Sequence, residues 1–268
     1  MSSAGPGDTM IGASARVVYR KRLRRNSEDR LFNSSLTLLR DCNQQPVKNR
    51  ILALRRGPIR YRRNAMIVCE GDPADYIFLV VKGTVRMCRN YQDGSRGIVA
   101  FYVPGEIFGW SGDPAHSLSA EAATDALILF FKRSALYSAA SQDPRLASYL
   151  LAATTNELRR VQEHSLMLGR LAACRVATFL IDLSMRMGRP KYLKLPMPLL
   201  DIADHLGLKM ETVSRTIAAM AKSGLIVRAS YRTLVLRNRA LIALTSIKGL
   251  LFALGGRLSS VGPGALLA

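Results

Sequence analysis

The sequence predicts an α+β chain in three successive parts: a small β-roll, one long helix, and two short helices closed by a β-hairpin. Three observations predict this. Gly71, Gly83, Gly94 and Gly105 punctuate a run of short β-rich segments at spacings of 12, 11 and 11. Leu151, Thr154, Leu158, Val161, Ser165 and Leu168 recur at 3, 4, 3, 4 and 3. Residues 199–224 carry two helical patterns separated by Gly207.

The β-rich part runs from 58 to 132. Ala65–Cys69, Tyr76–Val81, Gly83–Arg89, Gly97–Val103 and Ala126–Phe131 are its clearest strands. Short strands at even spacing with glycine corners suit a small sandwich or roll. Asp93–Gly94 supplies a hairpin turn, because glycine accepts the left-handed backbone such turns need. Ahead of the roll, residues 31–56 hold one or two short helices, and residues 1–30 read as a disordered basic tail. The run from Arg50 to Arg63 has six arginines and no acid, which suits a solvated face or a nucleic-acid contact. The roll domain as a whole is placed at 31–142.

The long helix is expected over 143–169. Pro144 fits its first turn, where the missing N–H has no partner to lose. The spacing from Leu151 to Leu168 is an a/d seam, the pattern of two helices wound together in parallel. A helix packed on its own domain is the other reading. Thr154 and Ser165 weaken the seam.

The third part is placed at 170–245. Its first helix ends at Gly188-Arg189-Pro190. Leu199, Ile202, Ala203 and Leu206 then form one apolar stripe, and Gly207 sits where a helix C-terminus favours a left-handed residue. A further helix begins near Met210, with Val213, Ile217 and Met220 on one side and Glu211, Ser214, Arg215 and Lys222 on the other. Leu225–Val227 and Thr233–Leu236 read as strands around a turn at Ser230-Tyr231-Arg232. The whole has the shape of a winged helix-turn-helix. Its polar face suits a major groove: Arg215 can fork onto guanine, Glu211 can accept from cytosine, and Ser214 can serve several bases. Lys209, Thr212 and Lys222 on the helix, and Arg228 and Arg232 near the hairpin tip, are candidates for phosphate contacts. An ordinary amphipathic helix pair with a solvated face is the alternative.

Charge separates the parts. The chain of 268 residues has a formal net charge of +20. Residues 170–240 carry 13 Lys/Arg against 4 Asp/Glu, whereas residues 58–140 carry 9 against 8. A polyanionic partner is therefore expected at one end, double-stranded DNA first. No Ser/His/Asp, paired-carboxylate or phosphate-loop constellation points to an enzyme. Cys42, Cys69, Cys88 and Cys174 lie far apart, and with His116, His164 and His205 they give no metal-ligand spacing. No secretory h-region precedes the roll. The longest apolar run, 241–256, is broken by Lys248 and is too short to span a bilayer. A cytoplasmic protein without a membrane partner is expected. Residues 246–268 have no clear reading.

Cys174 allows two readings. Arg170 at i−4 and the adjacent Arg175 would favour its thiolate and make it a candidate redox switch. Alternatively it is a small core residue among Leu171, Val176 and Phe179.

A glycine-punctuated roll, a long paired helix and a C-terminal winged helix-turn-helix, in that order, resemble the CRP/FNR superfamily of bacterial transcription regulators. Two stretches carry the resemblance across residues 50–240. One runs from Cys69-Glu70-Gly71-Asp72 through Lys82-Gly83 and Asp93-Gly94 to Pro104-Gly105-Glu106-Ile107-Phe108-Gly109. The other is Asp201-Ile202-Ala203-Asp204-His205-Leu206-Gly207-Leu208 with Glu211-Thr212-Val213-Ser214-Arg215. The resemblance implies a cyclic-nucleotide-binding-like roll and a homodimer that binds DNA and engages RNA polymerase. The E-x-x-S-R form is similar to the FNR/FixK branch, in which the matching side chains, here Glu211, Ser214 and Arg215, read a TTGA-type half-site. The cAMP-responsive branch usually has Arg where this chain has Met210.

The sensor departs from the family pattern. Cyclic-nucleotide binders resemble this chain at Gly105-Glu106 but then need an Arg for the phosphate. Gly112-Asp113-Pro114-Ala115-His116-Ser117 offers an aspartate instead. A phosphate beside Asp113 would be repelled, so Glu106 is expected to be a structural turn residue. An iron–sulfur cluster needs four converging thiolates, and only Cys42 precedes the roll. FixK-type proteins lack both devices. The resemblance therefore implies a regulator without a cofactor, an activator in low-oxygen or nitrogen-fixation gene control. A ligand-gated regulator of the same architecture, with an unidentified effector in the roll, is the alternative.

Overall fold

The computed structural model describes residues 45–91, 94, 96–237 and 241. The expected tails at 1–30 and 246–268, the residues 31–44 with Cys42, and Asp93 of the expected turn lie outside the described residues.

Helix α1 (Gln45–Ala53) precedes eight strands: β1 (Arg55–Tyr61), β2 (Met66–Val68), β3 (Tyr76–Lys82), β4 (Val85–Asn90), β5 (Arg96–Tyr102), β6 (Ile107–Phe108), β7 (Ser119–Ala122) and β8 (Ala126–Lys132). They form two antiparallel four-stranded sheets, ordered β1-β8-β3-β6 and β2-β7-β4-β5. Alternation along each strand sends one set of side chains between the sheets. Phe78, Phe108, Ile128 and Phe130 from the first sheet meet Val85, Tyr102, Ala120 and Ala122 from the second. The Phe78 and Phe108 rings stack at 5.1 Å. Aromatic rings thus fill the roll.

The five expected strands are present. Sequence reading missed β1, β6 and β7. The β1 sequence, Arg-Arg-Gly-Pro-Ile-Arg-Tyr, has no apolar alternation, and its pairing with β8 holds it extended. The short Ser-Ala-Glu-Ala of β7 has weak strand propensity but lies between β2 and β4.

After α2 (Arg133–Ser141), α3 spans Pro144–Leu168. Asp143 caps it, accepting from the Arg145 and Leu146 N–H groups at 3.0 and 3.4 Å. Leu146, Tyr149, Leu150 and Met167 are buried. Of the expected seam, Leu151, Leu158, Val161, Ser165 and Leu168 face solvent, with Leu158 57% and Val161 46% exposed, and Thr154 is half-buried. Helix α4 (Ala172–Arg186), strand β9 (Leu193–Lys194), helices α5 (Leu199–Leu206) and α6 (Met210–Lys222), and strands β10 (Ile226–Ser230) and β11 (Thr233–Leu236) complete the described chain. The last three strands form one sheet, β10-β11-β9.

The second sheet of the roll is buried on both faces. Cys88, Ile98 and Phe101 point away from the roll interior into one apolar cluster with Leu180, Leu183, Ile202, Leu206, Val213 and Ile217. The roll and the helix-turn-helix therefore share a core.

Candidate nucleic-acid interface

Gly207 ends α5 in the left-handed conformation, φ 60° and ψ 42°, as its position predicts. Arg175 of α4 donates to the Leu206 carbonyl at 2.9 Å and fixes this turn. Lys209 is extended at the start of α6. Val213, Ile217 and Met220 are buried beneath α6, each contributing about 1.5–3 kcal/mol by removal from water. That anchoring leaves Glu211, Ser214 and Arg215 exposed together along the opposite side, and Lys209 and Lys222 exposed at its two ends. Thr212 is half-buried.

The hairpin turns tightly at Tyr231 and Arg232, with Ser230 opposite Thr233. Arg228 and Tyr231 are exposed, whereas Arg232 is half-buried with its Nε enclosed. Arg228 is thus the more available of the two expected phosphate contacts. Cys174 is fully buried on α4. This corrects the redox expectation: oxidants attack thiolates that solvent reaches, and this thiol occupies the position of a packing residue.

Sequence reasoning missed the junction between α5 and the roll. Asp201, in the first turn of α5, is 2% exposed. It accepts from Arg86 Nη1 at 2.8 Å and Arg96 Nη2 at 2.8 Å. Arg96 also reaches Asp204 at 3.2 Å. Arg86 pairs with Glu121 at 2.6 Å, its cross-strand neighbour on β7. Burial opposes the Arg86 charge, but Glu121 and Asp201 outweigh it and raise its pKa. A buried arginine inside the apolar run of β4 was the available signal, since such a group needs acidic partners.

A second set of contacts lies at the roll rim. Arg186, at the end of α4, grips Glu106 at 2.8 and 2.7 Å and donates to the Phe101 carbonyl. Burial works against the Glu106 carboxylate, yet Arg186 and Arg160 hold its pKa below the ordinary value. Glu106 also accepts the Val103 N–H at 2.9 Å. It is the structural turn residue expected, and in addition a strut to α4. From α3, Glu157 accepts the Tyr102 hydroxyl at 2.5 Å, and Arg160 lies over the Tyr102 ring at 4.9 Å.

Residues 58–143 match the cyclic nucleotide-binding domain model, and residues 174–244 match the Crp-like helix-turn-helix domain. The nitrogen fixation regulation protein FixK of Azorhizobium caulinodans is 41% identical over 189 residues, 68% of this chain and 76% of the relative. The chain belongs to the CRP/FNR family, in its FixK-like branch. FixK of Rhizobium meliloti is 37% identical over 69% of this chain and 85% of its own length. The structure of FixK2 from Bradyrhizobium japonicum superposes with a TM-score of 0.68 at 40% identity, covering 71% of this chain and 97% of that one. This FixK-like chain is a DNA-binding transcription regulator.

In this FixK-like regulator two features of the roll weigh against a cyclic nucleotide. The carboxylate matching the family's ribose contact, Glu106, is taken by Arg186. Asp113 stands exposed in the loop where the family's nucleotide binders carry an arginine. Arg133 donates to the Ala74 and Ser111 carbonyls and pins that loop from α2. Among the described residues, no group of three or more His, Cys, Asp or Glu could hold a metal ion, and no helix is long and apolar enough to cross a membrane.

Proposed function

We propose that the chain acts as a cytoplasmic homodimer that reads a TTGA-type palindrome and activates transcription through RNA polymerase, without a catalytic role and without a small effector. The observation that carries this reading is the shared solvent face of Glu211, Ser214 and Arg215 on α6. Glu accepts from cytosine and Arg donates to guanine, so the trio can read the edges of neighbouring base pairs. The exposed apolar stripe Leu151, Leu158, Val161 and Leu168 on α3 supports parallel pairing of two copies. Arg228 and Lys222 serve phosphates. The FixK names of its relatives support a role in nitrogen-fixation or low-oxygen gene control.

Selection of bound sites from a random DNA pool tests the reading. The expected product is a palindrome of TTGA-type half-sites whose centres lie about one helical turn apart. Binding that tracks charge alone, with no enriched motif, would overturn it.

One observation favours a second reading. A cleft of about 500 Å³ opens between the roll rim at Glu106 and Trp110 and helices α3 and α4, lined also by Tyr149, Asn156 and Arg159. An effector seated there would make the protein a ligand-gated regulator. Native mass spectrometry of freshly purified protein separates the two readings, because a stoichiometric added mass supports the second.

A further inference from the structure

The helix-turn-helix and the roll are joined covalently through α3 and the short Gly169–Leu171 segment before α4. A reading helix carried only by that link would be free to swing. The shared apolar core limits that freedom, and the junction adds directional contacts at a specific place. Arg86 on β4 and Arg96 on β5 converge on Asp201, and Arg96 reaches one turn further to Asp204. All three contacts between these side chains, including the Arg96–Asp204 ion pair, lie between 2.8 and 3.2 Å. Glu121 on β7 backs Arg86 from behind, and Asn64 accepts from it at 3.2 Å. Arg96 lies 3.8 Å from the same Glu121, so both arginines are held by the roll, and both aspartates stand on α5.

Arginine's planar fork makes such contacts directional as well as attractive. Helix α5 packs on α6, so an orientation imposed on α5 passes to the base-reading face. We infer that Arg86 and Arg96 are positioning residues for DNA recognition. They clamp α5 to the roll and thereby set the angle and spacing at which α6 is presented, although neither touches DNA. The inference rests on the functional reading above, because spacing has meaning only where two reading helices act together.

The pair to alter is Arg96 and Asp204, which are 25% and 23% exposed at the side chain and so tolerate change better than Arg86 and Asp201. The full-length chain is prepared as wild type, Arg96→Gln, Asp204→Asn, the double variant, and the charge-preserving Arg96→Lys. Each is titrated against duplexes whose two half-sites are moved closer or further apart by one and two base pairs. Wild type is expected to show a single optimum. Arg96→Gln and Asp204→Asn should bind the optimal duplex about tenfold more weakly, within the usual range of inter-site coupling. They should bind the displaced duplexes nearly as well as the optimal one, with base preference inside each half-site unchanged. The double variant should be no worse than the poorer single one, and Arg96→Lys should recover part of the optimum.

A merely stabilising role predicts something else: a lower melting temperature and a uniform loss on every duplex, with the spacing optimum kept. That result would overturn the clamp, as would variants indistinguishable from wild type. A wild-type protein with no preferred sequence would sink the functional reading itself, and the clamp's role in recognition with it. The two failures are distinguishable, because the first leaves wild-type specificity intact.

Discussion

His205 of α5 lies face to face with His164 of α3, their ring centroids 4.2 Å apart and their planes inclined by 16°. Burial, reinforced by His164, pushes the His205 pKa down to about 3, with Arg186 and Arg160 adding to the effect and the bond to the Ile98 carbonyl opposing it. Burial lowers His164 as well. A proton therefore goes to the unfolded chain first. The stabilisation is whole above the ordinary histidine value near pH 6.5 and declines as pH falls towards 3. Its slope is about 1.4 kcal/mol per pH unit for each fully affected histidine. Urea unfolding at pH 7.5, 6.5, 5.5 and 5.0 should show this loss, and His205→Phe should flatten it. Identical slopes for both proteins would refute the assignment.

Arg215 shares the solvent side of α6 with Glu211 and Ser214. Arg215→Ala should weaken binding at the selected site by about 1–3 kcal/mol and relax preference at one base pair. Quantitative competition with single-base variants of that site checks this. A uniform loss on all sequences would make Arg215 a phosphate contact instead.

The apolar stripe of α3 should hold two copies together. Placing Asp at both Leu158 and Val161 would bury like charges in the seam, leaving monomers that no longer bind a palindrome tightly. Sedimentation and operator titration of the double variant measure the two consequences. A dimer that still binds would mean the pairing face lies elsewhere.

Adding cAMP should change neither DNA affinity nor melting temperature, because Arg186 already fills the reach of Glu106 and Asp113 opposes a phosphate. Glu106→Ala should cost about 3–5 kcal/mol of stability by leaving Arg186 poorly paired. Operator titration and thermal unfolding with and without cAMP test the first statement, and thermal unfolding of Glu106→Ala the second. A tenfold gain in DNA affinity on adding cAMP would contradict the first, and an unchanged melting temperature in Glu106→Ala the second.

Gly83, between β3 and β4, has φ +83°. A Cβ there would collide with the Asp125 carbonyl oxygen and come within 2.8 Å of the Ala126 Cα. Gly83→Ala should destabilise the chain by about 2–4 kcal/mol through strain and backbone displacement. A loss under 0.5 kcal/mol in denaturant titration would show that the turn can relax.

Local pattern was enough for much of this protein. Glycine spacing marked the corners of the roll, because glycine alone enters the left-handed region without penalty. Leu199 to Leu206, Gly207 and the two-sided α6 stand where periodicity placed them, since helix faces follow from 3.6 residues per turn. The same arithmetic put Glu211, Ser214 and Arg215 on one face. β1 and β7 were illegible because neighbouring strands, and not their own propensities, keep them extended. Cys174 shows the converse limit: arginines stand one and four positions away in sequence, but the fold buries its side chain completely. The pairing of Arg86 and Arg96 with Asp201 and Asp204 joins residues more than 100 positions apart. Nothing in either segment's periodicity encodes that meeting. Only closing the roll and packing its outer face on α5 brings the charges together, and burial then makes their pairing obligatory.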